Sequence, residues 1–218
     1  MRVRTEDKRR EIVRIACELF EQQGYERTSM SQISERLGGS KATLYGYFKS
    51  KEELLRAVLA HDVNEDVERM MVELLNTDDL RGGLIKLGIL YQTRRLSPLP
   101  IANIRSVVNQ PAGSTLGTEF YEAVLRPAWQ QLATYFEKMM DEGRLRRADP
   151  WLASMQWKGL TEWDMFERRL LGAIAGPDAT EIELAATTAA DAFLKLYGVE
   201  GDRAGGPGDG PVGETQRR

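Results

Sequence analysis

Helix-start and helix-stop signals stand close together in the first 60 residues, and their spacing limits what this part of the chain can fold into. Ser29–Gln32 and Ser50–Glu53 have the capping-box pattern, in which a serine and a residue three positions later cap a helix start. Gly24 and Gly38 can end the preceding helices, and Ser40 can start another. Helices of seven or eight residues are unstable alone, so these segments must pack against one another.

Apolar residues recur at helical spacing on both sides of these signals. They predict a first helix capped by Thr5, short helices over 30–37 and 41–47, and a long helix from Lys51 to about Leu75. Two short helices joined by a Gly-containing turn of three or four residues are typical of a helix-turn-helix.

Helical periodicity continues beyond residue 76, and no segment alternates as a strand does. Further helices are predicted over 78–96, between the prolines at 98 and 111, and over 118–142, 150–172 and 179–197. The sequence therefore predicts an all-α protein, with an N-terminal three-helix helix-turn-helix domain over 1–50 and a larger helical domain over 51–198. The Gly/Pro-rich residues 199–218 are expected to be a disordered tail.

Charge is divided unevenly along the chain, whose formal net charge is −3. Residues 1–60 contain 12 Lys/Arg and 9 Asp/Glu, whereas the remainder contains 18 and 24. This favours a basic N-terminal module that meets an anion, although chance variation on solvated faces explains it equally well. No apolar run is long enough to cross a membrane and no signal peptide is recognisable, so we expect a cytoplasmic protein without a membrane partner.

Catalytic and metal-binding patterns are not found in the sequence. Cys17 and His61 are the single residues of their types, which leaves no intramolecular disulfide and no zinc-ligand spacing. No Gly-rich phosphate loop follows a strand, and Glu162 and Asp164 face different sides of a helix. We therefore expect no enzyme activity, no metal and no cofactor, and place His61 at the surface or at a domain junction rather than in a pH or ligand sensor.

The short helix over 41–47 has a lightly polar outward face. On a helical wheel Leu44 and Phe48 share the inner face, whereas the opposite face carries small residues that permit close approach of a rigid partner. The major groove of DNA admits one such helix, whose surrounding hydroxyls and lysines would hold phosphates. The alternative is that each residue is a cap or a half-buried aromatic. The candidate DNA-binding residues are Thr28, Ser29, Ser40, Lys41, Ala42, Thr43, Tyr45, Gly46, Tyr47 and Lys51.

Residues 12–59 resemble the N-terminal DNA-binding domain of the TetR family of transcriptional regulators. The matching residues are ordered and spaced as in that family: Ala16, Leu19, Phe20, Gly24, Tyr25, Thr28, Ile33, Gly38, Ser40, Lys41, Thr43, Leu44, Tyr45, Phe48, Lys51 and Leu54. Residues 125–160 more weakly resemble the AefR-like C-terminal domain of the same family.

The resemblance implies a homodimeric, ligand-responsive regulator, most often a repressor, that binds near-palindromic double-stranded DNA and is released by a small molecule. Thr28, Tyr45, Tyr47 and Lys51 would meet phosphates, and residues 41–46 would meet bases. The domain over 51–198 would bind the ligand and form the dimer. Two residues depart from the family pattern, because Gly39 replaces an aliphatic residue and Gly46 replaces a longer side chain. Because Gly46 has no side chain to contact a base, we expect part of the sequence specificity to come from DNA shape.

Aromatic and methionine side chains in the larger domain suit an adaptable apolar pocket, although core packing explains them as well. The candidate ligand-pocket residues are Arg105, Trp129, Phe136, Met139, Met155, Trp163 and Phe166. Asn109, Gln156 and Glu162 are polar residues that either orient a ligand or lie on solvated faces.

The last two predicted helices are apolar on more than one side, which indicates burial between layers. We expect them to form a four-helix dimer interface. Its candidate residues are Trp157, Leu160, Ile182, Ala186, Ala189 and Phe193. A rival from another functional class is a helical ligand-binding or chaperone-like protein whose N-terminal module only supports dimerisation. DNA binding that weakens steeply with salt would distinguish the two.

Overall fold

The computed structural model describes the backbone of residues 2–75, 77–176 and 178–199, and the side chains of these residues except those at 2–5, 62, 64–66, 68, 69, 73 and 75. The predicted disordered tail, 199–218, lies outside the described residues apart from Val199. Within the described residues, the helices are α1 (Arg2–Gln23), α2 (Met30–Arg36), α3 (Lys41–Tyr47), α4 (Lys51–Leu75), α5 (Leu80–Arg95), α6 (Pro98–Val108), α7 (Leu116–Phe120), α8 (Arg126–Asp141), α9 (Pro150–Glu162), α10 (Met165–Leu171) and α11 (Ala179–Tyr197). A π-helical turn, Tyr121–Leu125, joins α7 to α8.

The helix boundaries follow local capping chemistry. Asp79 accepts a hydrogen bond from the Gly82 N–H (2.9 Å) at the start of α5, and Asp149 accepts one from the Leu152 N–H (2.7 Å) at the start of α9. Ser50 Oγ accepts from the Glu53 N–H (3.2 Å), as the capping signal predicts. These side chains satisfy N–H groups that the first helical turn leaves unpaired.

The all-α prediction is confirmed, and several helix boundaries differ from those predicted, two of them with structural consequences. The helix expected to start after Thr5 begins at Arg2. The single helix expected over 150–172 is divided into α9 and α10, because Trp163 adopts a left-handed backbone with φ of 48°. A non-glycine residue in this conformation interrupts helical geometry, although the apolar spacing continues through the break.

Two main hydrophobic cores hold the helices together. The first joins α1–α4 to α7 and the π-helical turn, with Ile12, Ile33 and Leu44 all completely buried. The second joins α5, α8, α9 and α11 and includes Leu84, Phe136 and Phe193. Because α4 contributes Leu54 to the first core and Leu74 to the second, this one helix connects the N-terminal unit to the larger helical body.

Candidate nucleic-acid interface and effector cavity

The turn between α2 and α3 is built from caps close together in sequence. The Gln32 N–H donates to Ser29 Oγ (3.2 Å), and the Ser29 N–H donates to Gln32 Oε1 (2.8 Å), which confirms the predicted capping box. Gly38 follows α2 with φ of 65°, a conformation that glycine adopts without strain. Ser40 Oγ then accepts from the Thr43 N–H (3.1 Å) and starts α3. The turn therefore fixes how α3 projects from α2.

Helix α3 presents the face predicted from its sequence. Leu44 is completely buried and Phe48 is 1% exposed, so both anchor α3 in the first core. Tyr47 is half-buried, whereas Tyr45 is 44% exposed. The remaining candidate residues of this helix and its cap are exposed: Ser40, Lys41, Ala42, Thr43 and Gly46. Gly46 leaves a shallow, open spot, since no atom lies within 4 Å of the position that a Cβ would occupy.

Thr28 and Ser29 differ in their accessibility. Thr28 is 2% exposed, and its Oγ1 donates to the Gly24 carbonyl (2.8 Å) while accepting from Gln23 Nε2 (3.1 Å). Its N–H donates to the Tyr25 carbonyl (3.1 Å). Thr28 therefore shapes the α1–α2 turn from inside, whereas Ser29 is exposed at the start of α2.

Lys51 is engaged by the same turn. Its ammonium donates to the carbonyls of Tyr25 (3.0 Å) and Thr28 (3.1 Å), and more weakly to that of Glu26 (3.4 Å). It also lies 4.2 Å from the centre of the Tyr25 ring, at cation–π distance. Burial, assisted by the charge of Glu52, raises the pKa of Tyr25 above its ordinary value. Lys51 thus holds the α1–α2 turn against the first turn of α4, which the sequence did not reveal.

A cavity of about 340 Å³ lies between α4, α5, α6, the π-helical turn, α8 and α9. Its wall is mostly aliphatic and aromatic, with α4 supplying Leu59, Val63 and Met70. The π-helical turn supplies Tyr121 and Leu125. π-Helical turns are rare in proteins, and those that do occur are often found at functional sites. Because α4 also carries Lys51, the cavity wall is mechanically connected to the base of the helix-turn-helix.

Polar side chains from α5 and α9 are concentrated at one part of the cavity wall. Tyr91, Arg95 and Lys158 line the cavity, and each lies beside the carboxylate of Glu162. Tyr91 Oη donates to Glu162 Oε1 (2.5 Å), Lys158 forms an ion pair with Glu162, and Arg95 Nε lies 3.8 Å from Glu162 Oε1. Burial first, and then the Glu162 charge, raises the pKa of Tyr91 well above its ordinary value, so this phenol remains a hydrogen-bond donor at neutral pH.

One of the seven predicted pocket residues, Trp129, lines this cavity. Phe136 and Met139 belong to the second core, and Phe166 lies under the Arg95 guanidinium at 3.9 Å. Arg105 donates to the carbonyls of Arg169 and Leu170 at the end of α10. The last two predicted pocket residues are the half-buried Met155 and the exposed Trp163.

Tyr91, Arg95 and Lys158 were not predicted from the sequence, and Glu162 was named there only as a residue that either orients a ligand or lies on a solvated face. The four residues come from two helices far apart in the chain. Tyr91 and Arg95 are spaced i and i+4 on α5, and Lys158 and Glu162 are spaced i and i+4 on α9. That spacing was the available signal, but ordinary surface pairs on helices have it too.

The residues predicted at the dimer interface pack within the chain itself. Leu160 is half-buried against the second core. The other five are between 0% and 6% exposed: Trp157, Ile182, Ala186, Ala189 and Phe193. They face inward because α9 and α11 pack together and against α5. The outer faces of α9 and α11 instead expose Leu152, Leu184 and Leu196, and Trp163 is exposed directly after α9.

Within the described part of the chain, no group of three or more His, Cys, Asp or Glu residues is placed to hold a metal ion. Among the described residues, no helix combines the length and the apolar character needed to cross a membrane.

Two family models match the chain. Residues 12–58 match the bacterial regulatory proteins of the tetR family, and residues 82–199 match the C-terminal domain of AefR-like transcriptional repressors. Together they cover the helix-turn-helix and most of the helical body that surrounds the cavity.

Curated relatives match the N-terminal part. The HTH-type transcriptional activator FasR of Mycolicibacterium smegmatis is 36% identical over 80 residues, which are 37% of this chain and 36% of the relative. An HTH-type transcriptional regulator of Staphylococcus aureus strain USA300 is 38% identical over 64 residues, or 29% of this chain and 35% of the relative. The chain thus spans about a third of the length of these relatives.

Solved structures match nearly the whole fold. A TetR-family transcriptional regulator from Mesorhizobium loti superposes with a TM-score of 0.79 at 28% identity, covering 90% of this chain and 99% of the other. The flavonoid-responsive regulator FrrA superposes with a TM-score of 0.63 at 25% identity, covering 89% and 99% of the two chains.

Proposed function

The chain belongs to the TetR family of DNA-binding transcriptional regulators, and from that membership we propose that it is a ligand-responsive repressor. It binds a near-palindromic operator as a homodimer and leaves the DNA when a small, mainly apolar molecule fills the cavity. The family and the relatives are transcriptional regulators rather than enzymes. Repression is favoured over activation because the AefR-like repressor model matches the long segment 82–199.

The exposed face of α3 carries the DNA-binding part of the proposal. Leu44 and Phe48 fix the helix in the core, so Lys41, Thr43 and Tyr45 are presented to the major groove without ordering a flexible segment. Lys41 and the two tyrosines contact phosphates, Thr43 contacts a base edge or a thymine methyl, and the bare positions Ala42 and Gly46 let the helix approach closely. Ser29 and Ser40 hold the starts of α2 and α3 at the DNA backbone. Thr28 and Lys51 stabilise the α1–α2 turn that positions them.

Two recognition helices are brought to successive major grooves by dimerisation. On a two-fold symmetric site their centres lie about 34–36 Å apart. The outer faces of α9 and α11 supply the interface, because their exposed leucines and Trp163 form apolar surface on helices that the chain otherwise buries.

Effector release follows from the position of the cavity beside α4. A ligand between α4, the π-helical turn and α8 would stabilise the distance between α4 and α8 that accommodates it. The resulting movement of α4 would reposition the helix-turn-helix. Arg56 of α4 also forms an ion pair with Glu119 of α7, which joins α4 to the short helix that precedes the π-helical turn. Release is then a shift toward a conformer whose recognition helices no longer match the operator spacing. The flavonoid-responsive FrrA supports an apolar, ring-containing effector.

The decisive experiment measures binding to the DNA upstream of this protein's own coding region, by footprinting and by fluorescence anisotropy over a salt series. We expect a protected near-palindrome and an affinity that falls steeply with salt, because several phosphate contacts release counterions. Lys138→Ala, on the exposed surface of α8, is the matched control for Lys41→Ala. Absence of a footprint at low salt would favour the rival ligand-binding or chaperone-like protein.

A further inference from the structure

Among the described side chains, those of the polar part of the cavity wall carry more positive than negative charge. Arg95 and Lys158 share one carboxylate, that of Glu162, and Tyr91 also donates to it. Among the side chains that the structure describes, none that lines the cavity is acidic.

Hydrogen-bonding capacity is left over in the same place. Among described residues, five buried side-chain atoms lack a hydrogen-bond partner, and three of them lie on α5 or α9: Gln92 Oε1, Arg95 Nε and Trp157 Nε1. Arg95 and Trp157 line the cavity, and Trp157 is 1% exposed. Unpaired buried donors are rare because leaving them unpaired is costly, so each one needs a physical explanation.

The remainder of the wall is apolar and rich in rings. Tyr91 lies at 5.4 Å from Trp129 and at 5.8 Å from Trp157, measured between ring centres. Such a wall binds a flat or branched hydrocarbon body, and a cavity of about 340 Å³ is within the usual range for small-molecule sites.

We propose that the effector is an apolar acid, whose hydrocarbon body fills the ring-lined part of the cavity and whose single carboxylate or phenolate lies against Arg95 and Lys158. The anion balances the excess cation, and its oxygens accept from donors that make no hydrogen bond within the chain, among them Arg95 Nε, whose distance of 3.8 Å from Glu162 Oε1 is that of an ion pair and too long for a hydrogen bond. A cationic effector would add to the excess positive charge, and a neutral one would leave it in place. The inference rests on the proposed effector role of the cavity.

The test compares two nearly isosteric probes, 1-naphthylacetate and 1-naphthylacetamide, by titration calorimetry on the full-length protein. The carboxylate differs from the amide in charge and not in shape. We expect the acid to bind about ten- to a hundred-fold more tightly, the range for hydrogen bonds to charged groups. Glu162→Gln keeps an acceptor for Tyr91 but removes the competing anion, so it should increase the acid preference.

Lys158→Met should reduce the acid preference about tenfold, and Lys158→Arg should restore it. Lys86→Met, on the exposed side of α5, is the matched control and should change nothing. Circular dichroism checks that each variant folds. If Lys158→Met does not fold, the Lys158→Arg and Glu162→Gln variants still decide the test.

Equal affinity for the two probes, preference for the amide, or no binding of either probe to a protein that still binds its operator would overturn the proposal. Operator release is measured separately by anisotropy. If the acid binds with the expected preference and the DNA remains bound, the chemistry of the site stands and the proposed effector role fails.

Discussion

The carbonyl groups of Tyr25 and Thr28 accept hydrogen bonds from the ammonium of Lys51, so this cation is already engaged when no DNA is present. Its three donors face the α1–α2 turn, and the Tyr25 ring covers it. Phosphate binding would have to replace these contacts or act through charge alone. We therefore expect Lys51 to act mainly by holding Ser29 and the start of α2 in place.

Replacement of Lys51 by methionine should weaken binding to operator and random DNA alike, about tenfold, and should lower the thermal midpoint. The slope of log affinity against log salt should change little, because no phosphate contact is lost. Lys41→Met is the matched comparison on α3, where loss of one phosphate contact should reduce the slope by about one. A Lys51 variant with unchanged stability and a slope reduced by one would show direct phosphate contact instead.

Local chemistry decided which residues could be found from the sequence. Ser29 and Gln32 pair across three positions, so their capping box is visible in the sequence and present in the structure. Tyr91 and Glu162 pair across 71 positions. Nothing near either residue marks that contact, since it depends on how α5 crosses α9. The exposed face of α3 was therefore predictable, whereas the contacts that bring Tyr91, Arg95 and Lys158 to Glu162 were not.

At the level of the helices, α5 and α11 approach closely at Gly88. A Cβ at this position would lie 2.8 Å from Ala186 Cβ and 3.2 Å from its Cα. Gly88→Ala should therefore destabilise the protein by about 1–3 kcal/mol, the usual cost of overpacking a tight contact. Urea unfolding at fixed protein concentration, followed by circular dichroism, measures the change.

Gly46→Ala is the matched control, because no atom lies within 4 Å of its added methyl group. It should stabilise the fold by up to about 1 kcal/mol, since alanine favours helix over glycine. Equal stability of the two variants would mean that α5 and α11 move apart at little cost, which would contradict a tight contact at Gly88.

The break between α9 and α10 illustrates what helical periodicity leaves out. Apolar spacing runs without interruption from Trp151 to Leu171, and it predicted one helix. The structure turns the chain at Trp163, and α10 then packs beside α6, where Arg105 caps its end. Such a turn depends on tertiary partners rather than on a local glycine or proline, so the sequence alone could not place it.

For the whole molecule, α4 connects DNA binding to the cavity, from Lys51 at its first residue to Met71 near its end. A regulator of this design needs a fixed frame against which α4 can move. The second core supplies that frame, because Trp157 of α9 and Phe193 of α11 are buried in it. The residues predicted for the dimer interface are thus packed within one chain, and the proposed dimer would use the opposite, exposed faces of the same helices.

Leu184→Glu should convert the dimer to a monomer at micromolar concentration, as measured by sedimentation velocity. Leu184 is 58% exposed on α11, so the substitution leaves the core intact but places a charge in an apolar interface. Operator affinity should fall at least tenfold, because one recognition helix cannot replace two. Val108→Glu, at a position 71% exposed on α6, is the control and should remain dimeric. A wild-type protein that sediments as a monomer, or a Leu184 variant that stays dimeric with full operator affinity, would place the interface elsewhere.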